Sequence, residues 1–186
     1  MYKLNTNSVF SNFPELTLKK IKLRALKRSD AKDFYSYITH EKVKKYLSSQ
    51  EIPNDLPGAE EELMYWANLF NHMRSIYWGI ATKEKDKLIG TCGYNNWSAL
   101  HKRVEISYDL DYNHWGQGIM TEAVVAITNF AFEALGARRV QATVVFDNVA
   151  SMKVLEKSGY ICEGNLRNYN MLHDKIVDSF MYSIIK

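Results

Sequence analysis

The sequence predicts an α/β fold: one mixed, mostly antiparallel sheet of about seven strands with helices on both faces. Three observations lead there. Strand-like runs over residues 76–82, 88–94 and 103–110 follow one another through short connections, which favours an antiparallel meander. A glycine turn then feeds a helix and a further strand, 139–146, an order that implies a crossover to a parallel neighbour. Apolar residues recur at three and four residues in stretches before and after these strands.

Residues 1–16 carry no clear period, and Pro14 interrupts them. Over 17–26, Leu18, Ile21 and Leu23 alternate with Lys19, Lys20, Lys22 and Arg24, as in a half-buried strand with a basic, solvated face. Ser29 can cap a helix starting at Asp30, with Phe34, Tyr37 and Ile38 inward. A second short helix is predicted over 40–47 and a loop over 53–58. The next helix, 59–73, buries Leu63, Trp66, Leu69 and Phe70, with Glu60, Glu61 and Glu62 in its first turn favouring the dipole. After the meander, a helix from Met120 shows Met120, Val124, Ile127 and Ala131 on one face. Strand 139–146 leads into a helix over 147–158, which turns Val154 and Leu155 inward and stops at Gly159. Residues 160–166 and 176–185 read as a closing hairpin with a long loop. No repeat, low-complexity tract or linker divides residues 1–186, so one domain is expected.

Composition narrows the function. Hydrophobic residues at 46% supply a substantial core, and a net charge of +3 does not imply a nucleic-acid surface. No run of eighteen apolar residues or signal-peptide segment is present, so a soluble cytoplasmic protein without membrane contact is expected. Cys92 and Cys162 fit no metal spacing and read as buried free thiols. Trp66, Tyr77, Trp78, Trp97 and Trp115 belong to the core or an interface, and an aromatic edge near the closing hairpin leaves a homodimer open.

The stretch Trp115-Gly116-Gln117-Gly118 joins a strand to a helix. Glycine permits positive φ and close ligand approach, and the free N–H groups of a first helical turn attract anions. The motif reads as a phosphate site or as a plain tight turn. Ile119, Met120 and Thr121 follow Gly118, which rules out the dinucleotide fingerprint and the Walker loop.

That motif, extended through Ile119-Met120-Thr121-Glu122-Ala123, precedes Asn148-Val149-Ala150-Ser151 and then Leu155-Glu156-Lys157-Ser158-Gly159-Tyr160 with Glu163-Gly164. Together with Leu23-Arg24-Ala25-Leu26 and Asp30, these resemble the GNAT acyl-CoA-dependent N-acetyltransferases, more narrowly the branch that acetylates ribosomal-protein N-termini. The resemblance covers residues 18–185. It implies acetyl-CoA as cofactor, bound where strands 103–110 and 139–146 splay apart. The backbone of Tyr108, Asp109 and Leu110 would pair with the pantetheine arm. N–H groups of Trp115, Gly116, Gln117, Gly118, Ile119, Met120 and Thr121 would cradle the diphosphate. Asn148 would bond the pantetheine, and Ser151 would lie near the sulfur. Three positions depart from the family pattern: Asn113 stands where Gln or Arg is frequent, Leu155 where many members place an acidic Tyr, and Asn170 where the branch can carry a carboxylate.

The implied chemistry is attack by a primary amine on a thioester. An α-amino group, with a pKa near ~8 against ~10.4 for lysine, needs less help to lose its proton. Glu105 is the candidate base, by analogy with the catalytic Glu that many family members carry on that strand. Its other reading is an exposed residue paired with Arg103 or Lys102. Asp109 and His114 are weaker alternatives. Ser151 takes the place of the acid for the thiolate, or bonds its own backbone as a first-turn serine does. The acceptor divides into a peptide N-terminus and a small amine, with Glu41, Glu51, Asp55 and Glu60 to Glu62 available to attract a cation. A non-catalytic acetyl-CoA sensor and nucleic-acid binding through 19–28 and 42–45 are the competing classes.

Overall fold

The computed structural model describes residues 9–186. Its sheet has eight strands in the order β1-β2-β3-β4-β5-β6-β8-β7. The eighth arises because the predicted strand 17–26 is a tight hairpin. β1 (Leu16–Thr17) pairs with β2 (Ile21–Arg24), and Leu18 N–H closes the turn on Ile21 C=O at 2.9 Å.

The helix after β2 begins differently from the expectation at Ser29. A single 3-10 turn, Arg28–Asp30, precedes α1 (Ala31–Ile38). The Asp30 carboxylate, buried, accepts from Lys27 N–H at 2.8 Å and from Arg24, so Asp30 organises this entry rather than Ser29. His40 caps the four-residue α2 (Glu41–Lys44) through Nδ1. The predicted loop 53–58 contains the start of α3 (Leu56–Asn71). Asp55 accepts from Gly58 N–H at 2.8 Å, and Pro57 stands where a missing N–H costs nothing. Glu60, Glu61 and Glu62 therefore lie beyond the first turn.

The meander is β3 (Tyr77–Thr82), β4 (Leu88–Ser98) and β5 (Arg103–Leu110), all antiparallel. β4 continues past residue 94 through an irregularity at Asn95. After β5 come α4 (Ile119–Glu133), β6 (Arg139–Val145) and α5 (Val149–Lys157), and β6 returns parallel to β5. β7 (Ile161–Leu172) and β8 (Lys175–Ile185) close the sheet. Their link is a two-residue turn, His173 and Asp174, both at positive φ, not a long loop. β7 is an edge strand exposed along most of its length, so it has no apolar alternation to read; Ile161, Tyr169 and Met171 are open to solvent, as is Ile176 of β8. For the same reason Cys162 is exposed, against expectation, while Cys92 is buried.

Two apolar clusters cover the sheet. α1 and α3 pack Phe34, Tyr37, Ile38 and Leu63 against Tyr77 and Leu88 on one face. α4 lays Met120, Val124, Ile127 and Ala131 over Trp78, Tyr94, Val104 and Ile106 on the other, as its spacing predicts. Among the described residues no helix is long and apolar enough to cross a membrane.

Candidate active site

β5 and β6 hold together for three rungs: Arg103 with Arg139, Val104 with Val140, Glu105 with Gln141. Beyond that rung they part. Residues 106–110 and 142–145 instead line a cleft of about 1080 Å³. β5 remains bonded to β4 and β6 to β8, so each presents one backbone edge to the cleft. Strand alternation turns Glu105, Ser107 and Asp109 toward α1 and α3, and Ile106, Tyr108 and Leu110 toward α4 and α5.

The glycine turn closes one end. Gly116 and Gly118 have φ of +73° and +75°. Trp115 Nε1 ties the turn to Leu110 C=O at 2.8 Å, and Gln117 Nε2 to Asn113 C=O at 3.1 Å. The first helical bond of α4 runs from Glu122 N–H to Gly118 C=O, so the N–H groups of Ile119, Met120 and Thr121 are free of helical partners. A Cβ on Gly116 would meet nothing within 4 Å, and one on Gly118 only the Lys20 ammonium at 3.7 Å. Lys20 Nζ also donates to the Gln117 carbonyl, behind the cleft lining, whereas Lys153 and Lys157 line the cleft itself. Open space, aimed amides and cations are the donor set a diphosphate requires. The residues fit the coenzyme that the resemblance implies.

At the start of α5, Asn148 lines the cleft; its Oδ1 accepts from Ser151 N–H at 3.1 Å, and its Nδ2 has no hydrogen-bond partner among the described residues. Ser151 Oγ lies 2.7 Å from the Tyr108 hydroxyl, not on its own backbone. Burial pushes the Tyr108 phenol well up. Leu155, at the place of the family's Tyr, is fully buried.

On the opposite face Glu105 Oε2 accepts from Gln141 Nε2 at 3.1 Å, not from Arg103 or Lys102, and Oε1 has no hydrogen-bond partner among the described residues. Asp109 is more heavily engaged. Its Oδ1 accepts from the Tyr37 hydroxyl at 2.6 Å and Thr91 N–H at 3.1 Å, and its Oδ2 from the Thr91 hydroxyl at 2.6 Å. Burial, with a smaller push from Glu51, raises it to about 6 against those three donors. Burial, then Asp109 and Glu51, raises Glu62 to about 7. Asn95 Oδ1 accepts from Ser107 Oγ at 2.8 Å and from Tyr77.

Of the coenzyme-binding residues read from the sequence, only Gln117 does not line this cleft. Glu105, His114, Ser151 and Asn170 do. Lys20, the Tyr108 hydroxyl and Gln141 went unread. From the turn between β1 and β2, Lys20 reaches a residue 97 positions away and is one cation among several in the run 17–26, so no local signal singles it out.

Residues 20–161 match the acetyltransferase (GNAT) domain family, and the chain belongs to it. Its activity is acetyl-CoA-dependent acetylation of an amine. Among its relatives is the uncharacterized N-acetyltransferase YoaA of Bacillus subtilis (strain 168), 32% identical over 174 residues, 94% of this chain and 98% of that protein. The ribosomal-protein-serine acetyltransferase of Escherichia coli (strain K12) is 28% identical over 169 residues, covering 90% and 93% of the two chains. In fold the chain resembles Mycobacterium smegmatis RimJ in complex with CoA-disulfide, with a TM-score of 0.83 at 19% identity over 92% of this chain and 86% of that one.

Proposed function

We propose that the protein acetylates the free N-terminal amine of a polypeptide in the cytoplasm, residues 1–186 acting as one domain, with Glu105 as base and Ser151 serving the departing sulfur. The carrying observation is one cleft lined both by Glu105, on the last paired rung of β5 and β6, and by Ser151 at the start of α5. The coenzyme supplies an acyl group activated as a thioester. The amides of Gly116, Gly118, Ile119, Met120 and Thr121 would hold its diphosphate, the Trp115 N–H being bonded to Tyr112 C=O at 3.1 Å and Gln117 lying outside the cleft lining. The free β5 edge at Tyr108, Asp109 and Leu110 would take its pantetheine arm, and Asn148 Nδ2 would bond that arm.

Glu105 Oε1 accepts the amine's proton directly or through one water, a contribution of about 10²–10⁴-fold. Asp109 is the poorer base despite its raised pKa, because three donors already occupy its oxygens. Ser151 Oγ donates a hydrogen bond to the sulfur as charge develops there. Glu51, Glu105 and Asp109 line the acceptor side, and no ion pair among the described residues engages them, which suits a cationic amine. Three of the other acids have work elsewhere: Asp55 caps α3, Glu60 pairs with Arg28 and Glu41 with Lys44. The similarity to a ribosomal-protein-serine acetyltransferase supports the peptide acceptor. The same carboxylates keep a small polyamine as the second reading.

Thiol release from acetyl-CoA, screened against peptide N-termini, polyamines and aminoglycosides, tests the acceptor. With the best acceptor, Glu105→Gln should lower kcat by about 10²-fold and Ser151→Ala by about 10-fold. Unchanged rates in both variants would remove these roles, and coenzyme binding without turnover of any amine would favour a sensor.

A further inference from the structure

Glu105 and Gln141 face each other on the last paired rung before β5 and β6 part. Gln141 is buried, 8% exposed, and is not among the residues lining the cleft, so it reaches the site only through Glu105. A glutamine can offer either end of its amide. Here Arg139 settles the choice: its Nε donates to Gln141 Oε1 at 2.8 Å. Arginine can only donate, so the amide oxygen is committed and the NH₂ end is left for the carboxylate. Arg139 is itself fixed. Its two terminal nitrogens donate to Glu163 Oε1 and Oε2 at 2.7 and 2.6 Å, and Ser183 Oγ donates to Glu163 Oε1 at 2.6 Å. A directed chain of bonds thus runs from the edge strand β7 through β6 to the candidate base.

We infer that Gln141 is a positioning residue for the transfer, aiming the Glu105 carboxylate into the cleft, with Arg139 and Glu163 setting the handedness of its amide. This rests on the reading of Glu105 as base. A glutamate on a strand has several open rotamers, and a base is effective only when held near one productive geometry. A charge-assisted bond to Oε2 supplies that restraint while leaving Oε1 to accept a proton.

Two variants at Gln141 test it. Gln141→Met removes both bonds at similar length. Gln141→Glu keeps the shape and the acceptor for Arg139 but cannot donate when ionised, and it is read if the Met variant fails to fold. Each should lower kcat about tenfold with the KM for acetyl-CoA unchanged, the size expected for one bond to a charged group. Adding Gln141→Met to Glu105→Gln should cost nothing further, because the two act as a unit. A crystal structure of the folded Gln141 variant should show the Glu105 carboxylate turned or spread over several rotamers. Wild-type kcat in any Gln141 variant that folds while Glu105→Gln is slow, an additive double variant, or an unmoved Glu105 would each overturn the inference. A fully active Glu105→Gln would instead sink the base reading itself, and this inference with it.

Discussion

Asp30 accepts two bonds from the Arg24 guanidinium, at 2.7 and 2.8 Å, where the two side chains are 7% and 3% exposed. Without Asp30 the buried Arg24 would keep the Asp86 carboxylate and the Ala25 and Asp86 carbonyls, so Asp30→Ala should cost about 1–3 kcal/mol by chemical denaturation, the size of lost hydrogen bonds to a charged group. Lys27→Ala, which removes an exposed partner of Asp86, should cost no more than about 1 kcal/mol. The sequence shows Arg24 as one of several alternating cations; its burial follows from α1 and α3 folding over β2, which no local pattern encodes. Glu62 is a second residue whose surroundings decide its behaviour. Burial and its acidic neighbours raise it from 4.5 to about 7, so the folded chain keeps a proton that the unfolded chain releases. Its contribution to stability is full below about pH 4.5 and is lost as the pH rises through about 7. Thermal melts at about pH 5 and about pH 8 should differ less in Glu62→Gln than in the wild type, and an equal decline in both would contradict the assignment.

At the scale of elements, α4 was legible because its apolar residues keep a 3.6 period and its start is marked by two glycines. The start of α3 was not, because Pro57 and Gly58 read as a loop although Asp55 caps a helix that contains both. The β7–β8 turn escaped for a related reason: His173 and Asp174 hold positive φ without a glycine. The Gly118 turn makes a test. A β-branched side chain at φ +75° should cost about 1–2 kcal/mol of stability and stand among the amides that would meet the diphosphate. Gly118→Val is therefore expected to fold, to melt somewhat lower, and to bind coenzyme A at least about tenfold more weakly by calorimetry. Undiminished binding would mean that the phosphates sit elsewhere.

For the whole molecule, the meander, the crossover through α4 and the parallel return of β6 could be read from the order of elements. The parting of β5 and β6 could not be read from the alternation of either strand, since nothing in 103–110 or 139–145 marks where the ladder stops. Only resemblance to a known family supplied it. That parting has a kinetic consequence. Because the cleft is lined from both faces of the sheet, the proposed amine and coenzyme sites would be reached from opposite sides, and neither reactant would need to leave for the other to enter. Initial-rate plots against either reactant, at fixed levels of its counterpart, should intersect; parallel lines would mean that the acetyl group rests on the protein between two separate visits.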